Sequence, residues 1–196
     1  MNKKWITIIV VVILVFIIYS FFSGKYNGMV AKDEAVNTAW SNVETQYQRR
    51  SDLIPNLVNT VKGFAQQEQD VLVGVTEARA KASSLNINAD NLTEENLQQF
   101  QAAQGQLNSA LSRLLVTVER YPELKSNQNF LELQAQLEGT ENRIAVARKR
   151  YNEITQDYNT FIRVFPNTMF AGMFGFERKA LFQADAGAEN APTVEF

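Results

Sequence analysis

Fourteen positions along residues 36–82 repeat in alternating steps of four and three: Val36, Trp40, Val43, Tyr47, Arg50, Ile54, Leu57, Val61, Phe64, Glu68, Val71, Val75, Ala78 and Ala82. They form one heptad seam in which only Arg50 and Glu68 are charged. The phase does not reset at Pro55, so the pattern predicts a single helix running through the proline, kinked there. A new helix starting at Pro55 would have Ile54 as its N-cap, a poor one. Continuation costs about 3 kcal/mol, because the Ser51 carbonyl loses its donor and Ile54 is pushed away from helical geometry. Arg50, Ser51 and Asp52 stand within one turn of that carbonyl and are the expected compensation.

Small and polar residues at 83–91 interrupt the pattern. Thr93-Glu94-Glu95 then supplies an N-cap and an acidic first turn for a second helix, with a seam at Leu97, Phe100, Gln104, Leu107, Leu111, Leu114, Val118 and Tyr121. A third helix follows Asn127 and keeps the alternation from Phe130 to Phe165, where Pro166 closes it. The pattern therefore predicts an all-α, up-down-up antiparallel bundle of long helices, with the third parallel to the first. Helix two is too short to reach back past Ile54. Val36, Trp40, Val43 and Tyr47 are then left as an uncovered apolar stripe, which needs a partner. Equivalent stripes on other copies held in the same membrane make a homo-oligomer the expected use, with another membrane or envelope protein as the competing one.

Ahead of the bundle, residues 5–22 carry no charge and are mostly Ile and Val, with Trp5, Tyr19, Phe21 and Phe22 near the ends. At about 1.5 Å per residue they span roughly 27 Å, close to one hydrocarbon core. Residues 1–24 read as a membrane anchor in contact with lipid. A cleaved signal peptide is the competing reading, but Phe21-Phe22-Ser23-Gly24 lacks a small-x-small cleavage pattern. Lys3 and Lys4 precede the span and Lys25 and Lys32 follow it. That tally leans toward a cytoplasmic N-terminus and a bundle outside the cytoplasm.

Composition narrows the chemistry. The 196 residues include no cysteine and no histidine, with 19 Lys and Arg against 21 Asp and Glu. Thiol and imidazole catalysis and nearly all zinc, copper and haem sites are excluded, and no basic surface suggests nucleic acid. An enzyme would have to use carboxylates, lysines, serines or tyrosines, and Glu68 with Glu141 is the best candidate for a buried carboxylate pair. Di-iron bundles add Glu-x-x-His to such acids, which this chain cannot. The expectation is a protein with no cofactor, no metal and no catalysis. The charged seam residues should instead pair with one another: on the parallel arrangement Glu68 falls level with Arg148, with Glu141 sharing the contact.

Beyond Pro166, NTMFAGMFGFERKALF is almost wholly apolar. It could dip into a membrane as an amphipathic segment. The parallel arrangement instead puts it at the end of the bundle remote from the anchor, as a cap. The anchor is thus assigned to 1–24, the bundle to 25–182 and a flexible acidic tail to 183–196. The tail closes on PTVEF, whose Val194 and Phe196 suit strand addition with capture of the terminal carboxylate. A tail folded on its own bundle, or disordered, is the alternative.

Several stretches taken together resemble the LemA family of membrane-anchored bacterial proteins: NTAWSNVETQYQRRSDLIPNLVNTVKGFA, RYPELKSNQNF, ENRIAVARKRYNEITQDYN and the closing PTVEF, behind one anchor. The resemblance covers nearly the whole chain. It implies a helical bundle on one transmembrane helix, without established enzymatic activity, and a small N-terminus outside the cell. The last point opposes the lysine tally, so the side of the bundle stays open. The functional expectation is a membrane-anchored scaffold or adaptor. A lipid-binding or envelope-shaping role through 169–176 is the alternative.

Overall fold

The computed structural model describes residues 3–85, 87, 89 and 92–183. Among these, every regular element is helical: α1 Lys3–Phe64, α2 Gln69–Ser84, α3 Glu94–Val118, α4 Pro122–Lys125, α5 Gln128–Arg163 and α6 Asn167–Phe174. The long apolar N-terminal helix, the helical bundle and the short C-terminal helix follow the expected fold class.

α1 holds 62 residues, about 93 Å by helical rise. Its residues 4–20 stand clear of the bundle, and its apolar run is long enough to cross a membrane. The helix crosses the expected boundary at residue 24 without interruption and continues through Pro55.

The first reversal comes earlier than the sequence pattern suggested. α1 stops at Phe64, the chain turns over 65–68, and α2 runs back along α1 until Ser83 meets Ser51. A heptad seam cannot distinguish one helix from a hairpin whose arms keep the same phase. The hairpin wins because it lets Leu72, Val75 and Ala82 pack on Ile54, Leu57 and Val61 and on α3, all in one core. Glu68, whose amide bonds to the Ala65 carbonyl at 3.1 Å, sits in the turn.

Between α2 and α3, Ile87 and Leu92 are buried. α3 then rises again from its Thr93 cap, where Oγ1 accepts from the Asn96 amide at 3.2 Å. α4 makes the far corner. α5, capped by Asn127, returns along α1 as far as Gly28: Glu141 meets Arg50, Tyr151 meets Trp40 and Asp157 meets Lys32. Gly28 allows the Phe161 ring in, since a Cβ there would lie 3.2 Å from it.

The final long helix is therefore antiparallel to α1, which corrects the expected parallel arrangement. The extra reversal at 65–68 inverts the direction of every later element. Two further corrections follow. Val36, Trp40 and Val43 are fully buried and Tyr47 nearly so, packed with Phe100, Tyr151 and Phe182 in the core region nearer the apolar run of α1. The stripe expected to drive self-association is the interior of the bundle, covered by α5, α3 and the C-terminal segment. The 167–174 helix, expected as a remote cap, lies beside the anchor instead. Its Phe170 ring is 4.8 Å from Phe22 and 6.2 Å from Phe21.

Candidate functional site

Pro55 removes the amide that would have bonded to the Ser51 carbonyl. Arg79 of α2 supplies the replacement, its Nε donating to Ser51 O at 2.8 Å, and the Ser51 and Ser83 hydroxyls share a hydrogen bond of 2.9 Å. Compensation thus comes from the neighbouring helix. Arg50 and Asp52, expected to serve this carbonyl, are engaged elsewhere. Asp52 is exposed and accepts from Gln48 at 2.8 Å. Arg50 is buried, with Nη1 donating to Glu141 at 2.6 Å and Nη2 to Gln104, and its guanidinium stacks 5.1 Å from the Tyr47 ring centre. One side chain thereby ties α1 to both α3 and α5 at the junction of the two core regions.

Glu68 and Arg148 do not meet. The turn at 65–68 carries Glu68 to the far end, where it accepts from Tyr121 Oη and Arg120 Nη2, each at 3.0 Å. Its hydrogen bond raises the Tyr121 phenol above the ordinary range. Arg148 lies toward the anchor, donating to the Gln183 carbonyl at 3.2 Å and stacking 4.7 Å from the Phe182 ring. Glu141 takes part in an ion pair with Arg50 and shares neither of the other two charges.

A feature not anticipated from the sequence closes the core region nearer the apolar run of α1. Residues 176–183 climb back along α5 as an extended strap, held by two Tyr-Asn pairs one heptad apart. Asn159 donates to the Lys179 carbonyl at 2.8 Å and accepts from its amide at 3.0 Å. Asn152 does the same for Phe182, both at 2.9 Å. Tyr158 and Tyr151 donate to the carbonyls of Glu177 and Ala180, each at 2.8 Å. The asparagine amides imitate the edge of a β-strand on a helix surface. The repeat YNEITQDYN was the available signal. Lys179 then turns inward to Asp33 at 2.9 Å, Asn37 at 3.0 Å and the Ala89 carbonyl at 3.3 Å. Burial raises the Tyr151 phenol to about 12, and burial followed by the nearby Asp33 carboxylate raises Tyr158.

Below the strap, aromatic rings collar the end of the apolar run. Besides the Phe170 contacts, Tyr26 packs at 5.1 Å from Phe174 and 5.9 Å from Phe176. On another side of the bundle, α1 and α5 leave an open groove of about 740 Å³ lined by Ala35, Asn42, Gln46, Val146, Arg150 and Ile154. Gln46 Oε1 is buried there without a partner.

Among the described residues no group of three or more carboxylates converges as a metal site would require. Glu68 and Glu141 lie at separate levels, on different arginines. The C-terminal motif at Val194 and Phe196 lies outside the described residues. So does the expected tail apart from Gln183, whose carbonyl also accepts from Gln101 at 3.2 Å.

These arrangements hold a bundle together and fix it to one helix; the class they define is an all-α bundle threaded on an N-terminal helix that can cross a membrane. The profile of the LemA family matches residues 39–196, and the chain belongs to that family. It is similar to Protein LemA of Metamycoplasma hominis, 22% identical over 182 residues covering 93% of this chain and 80% of that relative.

Proposed function

We propose that the protein is a single-pass, membrane-anchored scaffold or adaptor without catalytic activity, which presents a rigid bundle to another envelope protein or to another copy of itself. The observation that carries this reading is α1, one helix that forms both the apolar span and the backbone of the bundle. With no linker between them, the orientation of the span fixes which faces of the bundle neighbours meet. The polar clusters support the same reading, because each is consumed by a packing task. The groove between α1 and α5 offers a concave surface on the bundle's side.

Photo-crosslinking in intact cells tests it. A photoreactive phenylalanine is placed at Asn42, Val146 or Arg150 in the groove, and at Gln106 or Ser112 on α3. Discrete adducts confined to one face are expected, to a second copy or to one recurring membrane protein. A bundle that forms no adduct at any position on any face overturns the scaffold reading.

A further inference from the structure

We infer that residues 164–174 form a second membrane contact, an apolar foot seated in the same leaflet from which α1 emerges. The inference rests on reading 5–22 as a membrane span, and its test separates the two.

The depth follows from the register of α6 against α1. Phe170 faces Phe21 and Phe22, and Phe174 faces Tyr26, so α6 runs parallel to α1, away from the span. The residues preceding Phe170 therefore lie level with the span itself. α5 approaches from above, with Phe161 already at Gly28, and the link between the helices is the lowest point of the bundle.

What this low point exposes is apolar. Phe165 is 80% exposed, Met173 70% and Met169 63%, and Val164 and Phe174 are also open. From Val164 to Phe176 the sequence VFPNTMFAGMFGF contains no charge. Arg163 precedes it, Glu177 and Arg178 follow it, and neither arginine forms an ion pair among the described residues. An apolar tip with cations at its margins suits insertion among acyl chains with the charges at headgroup level.

The backbone is also suited to leaving water, which requires polar groups to be paired internally. The Val164 amide bonds to Thr160 O at 3.2 Å, Thr168 to Val164 O at 3.1 Å and Met169 to Pro166 O at 3.2 Å. Asn167 Nδ2 donates to the Phe161 carbonyl at 2.8 Å, although its Oδ1 is buried without a partner. Pro166 has no amide to satisfy. Lipid is the occupant because the patch is continuous with the surface of the span, at a depth where bilayer surrounds α1.

The test uses the full chain reconstituted in vesicles of phosphatidylcholine and phosphatidylglycerol. There is no native cysteine, so Phe165→Cys, Met169→Cys and Met173→Cys can each carry a single environment-sensitive fluorophore. Ile13→Cys reports on the span and Val146→Cys on the bundle. Lipids bearing nitroxides at shallow and deep acyl positions act as quenchers. The three foot positions should be quenched mainly by the shallow nitroxide, Ile13→Cys by the deep one and Val146→Cys by neither. Adding Phe165→Glu and Met169→Glu should abolish quenching at Met173→Cys while the helical circular dichroism is unchanged. Quenching at Ile13→Cys without quenching at the foot overturns the inference and leaves the span standing. No quenching at Ile13→Cys removes the span and the foot together. Disulfide-linked dimers through unlabelled Met173→Cys, with no lipid quenching of the labelled variant, assign the patch to a second copy and likewise overturn it.

Discussion

Arg79 donates its Nε to the carbonyl of Ser51 at 2.8 Å, the carbonyl that Pro55 leaves without a backbone partner. The two residues are 28 positions apart and on different helices, so a local defect in α1 is repaired only once α2 has folded back. Arg79→Ala should destabilise the chain by about 1–3 kcal/mol, the usual result of stranding a partly buried polar group. In a Pro55→Ala background the amide returns and most of that loss should vanish. A double-mutant cycle by denaturant unfolding, followed by circular dichroism, measures the coupling; a cycle that closes additively refutes the repair.

Arg50 is buried while the Glu141 side chain is 42% exposed, so the two ends of this ion pair are not equivalent. Glu141→Ala strands Arg50 in the interior but lets water reach the gap, so its cost should fall below the roughly 3–5 kcal/mol of a fully buried broken pair. Arg50→Ala also loses the Gln104 bond and the Tyr47 stacking and should be the more damaging change. Melting temperatures of the two single variants give the order.

Glu68 and Arg148 belong to opposite regions of the bundle, so their alanine variants should add to within about 0.5 kcal/mol. Glu68 and Arg120 should instead show coupling, though below about 1 kcal/mol because Arg120 is mostly exposed. Coupling between Glu68 and Arg148 would require the parallel arrangement of α1 and α5 after all.

The strap hangs on Asn152 and Asn159, each of which both donates to and accepts from its backbone. Asn159→Ala should free the amide of Lys179, and Asn152→Ala that of Phe182. Hydrogen exchange at these amides should accelerate while α3 and the far core stay protected, at a stability cost of about 1–3 kcal/mol each.

Alkaline pH should loosen the same segment. Tyr151 and Tyr158 must stay protonated to donate to the strap, and burial raises both phenols above the model-peptide value of 10.0, Tyr151 to about 12. A raised folded pKa contributes stability that is fully present below the unfolded value and is lost as pH rises through the folded one. Melting temperature should hold up to about pH 10 and fall toward pH 12, and the fall should shrink in a Tyr151→Phe, Tyr158→Phe variant.

The helix types and the passage of α1 through Pro55 were legible because both depend on a local period that the unbroken phase at Val36–Val61 displays. The reversal was not, because Val75 and Ala82 continue the seam of Ile54, Leu57 and Val61 whether or not the chain turns between them. Gly63 and the polar run Gln66-Gln67-Glu68-Gln69 mark the turn, but only tertiary burial decides it. That single turn sets the direction of α5, and hence the burial of Trp40, the partners of Glu68 and the location of α6. The apolar character of 169–176 could be read from its composition. Its depth could not, since depth is a property of topology.

The strap has a consequence for synthesis on the ribosome. Trp40 stacks on Phe182 at 5.9 Å, and Lys179 reaches Asn37 across 142 positions. At about 5–20 residues per second, roughly 7 to 30 s separate the emergence of the first partner from that of the second. Throughout that interval the nascent chain displays Val36, Trp40 and Val43 to its surroundings. A chain broken off before the second Tyr-Asn pair finds its strap would remain permanently in that adhesive state, unable to close.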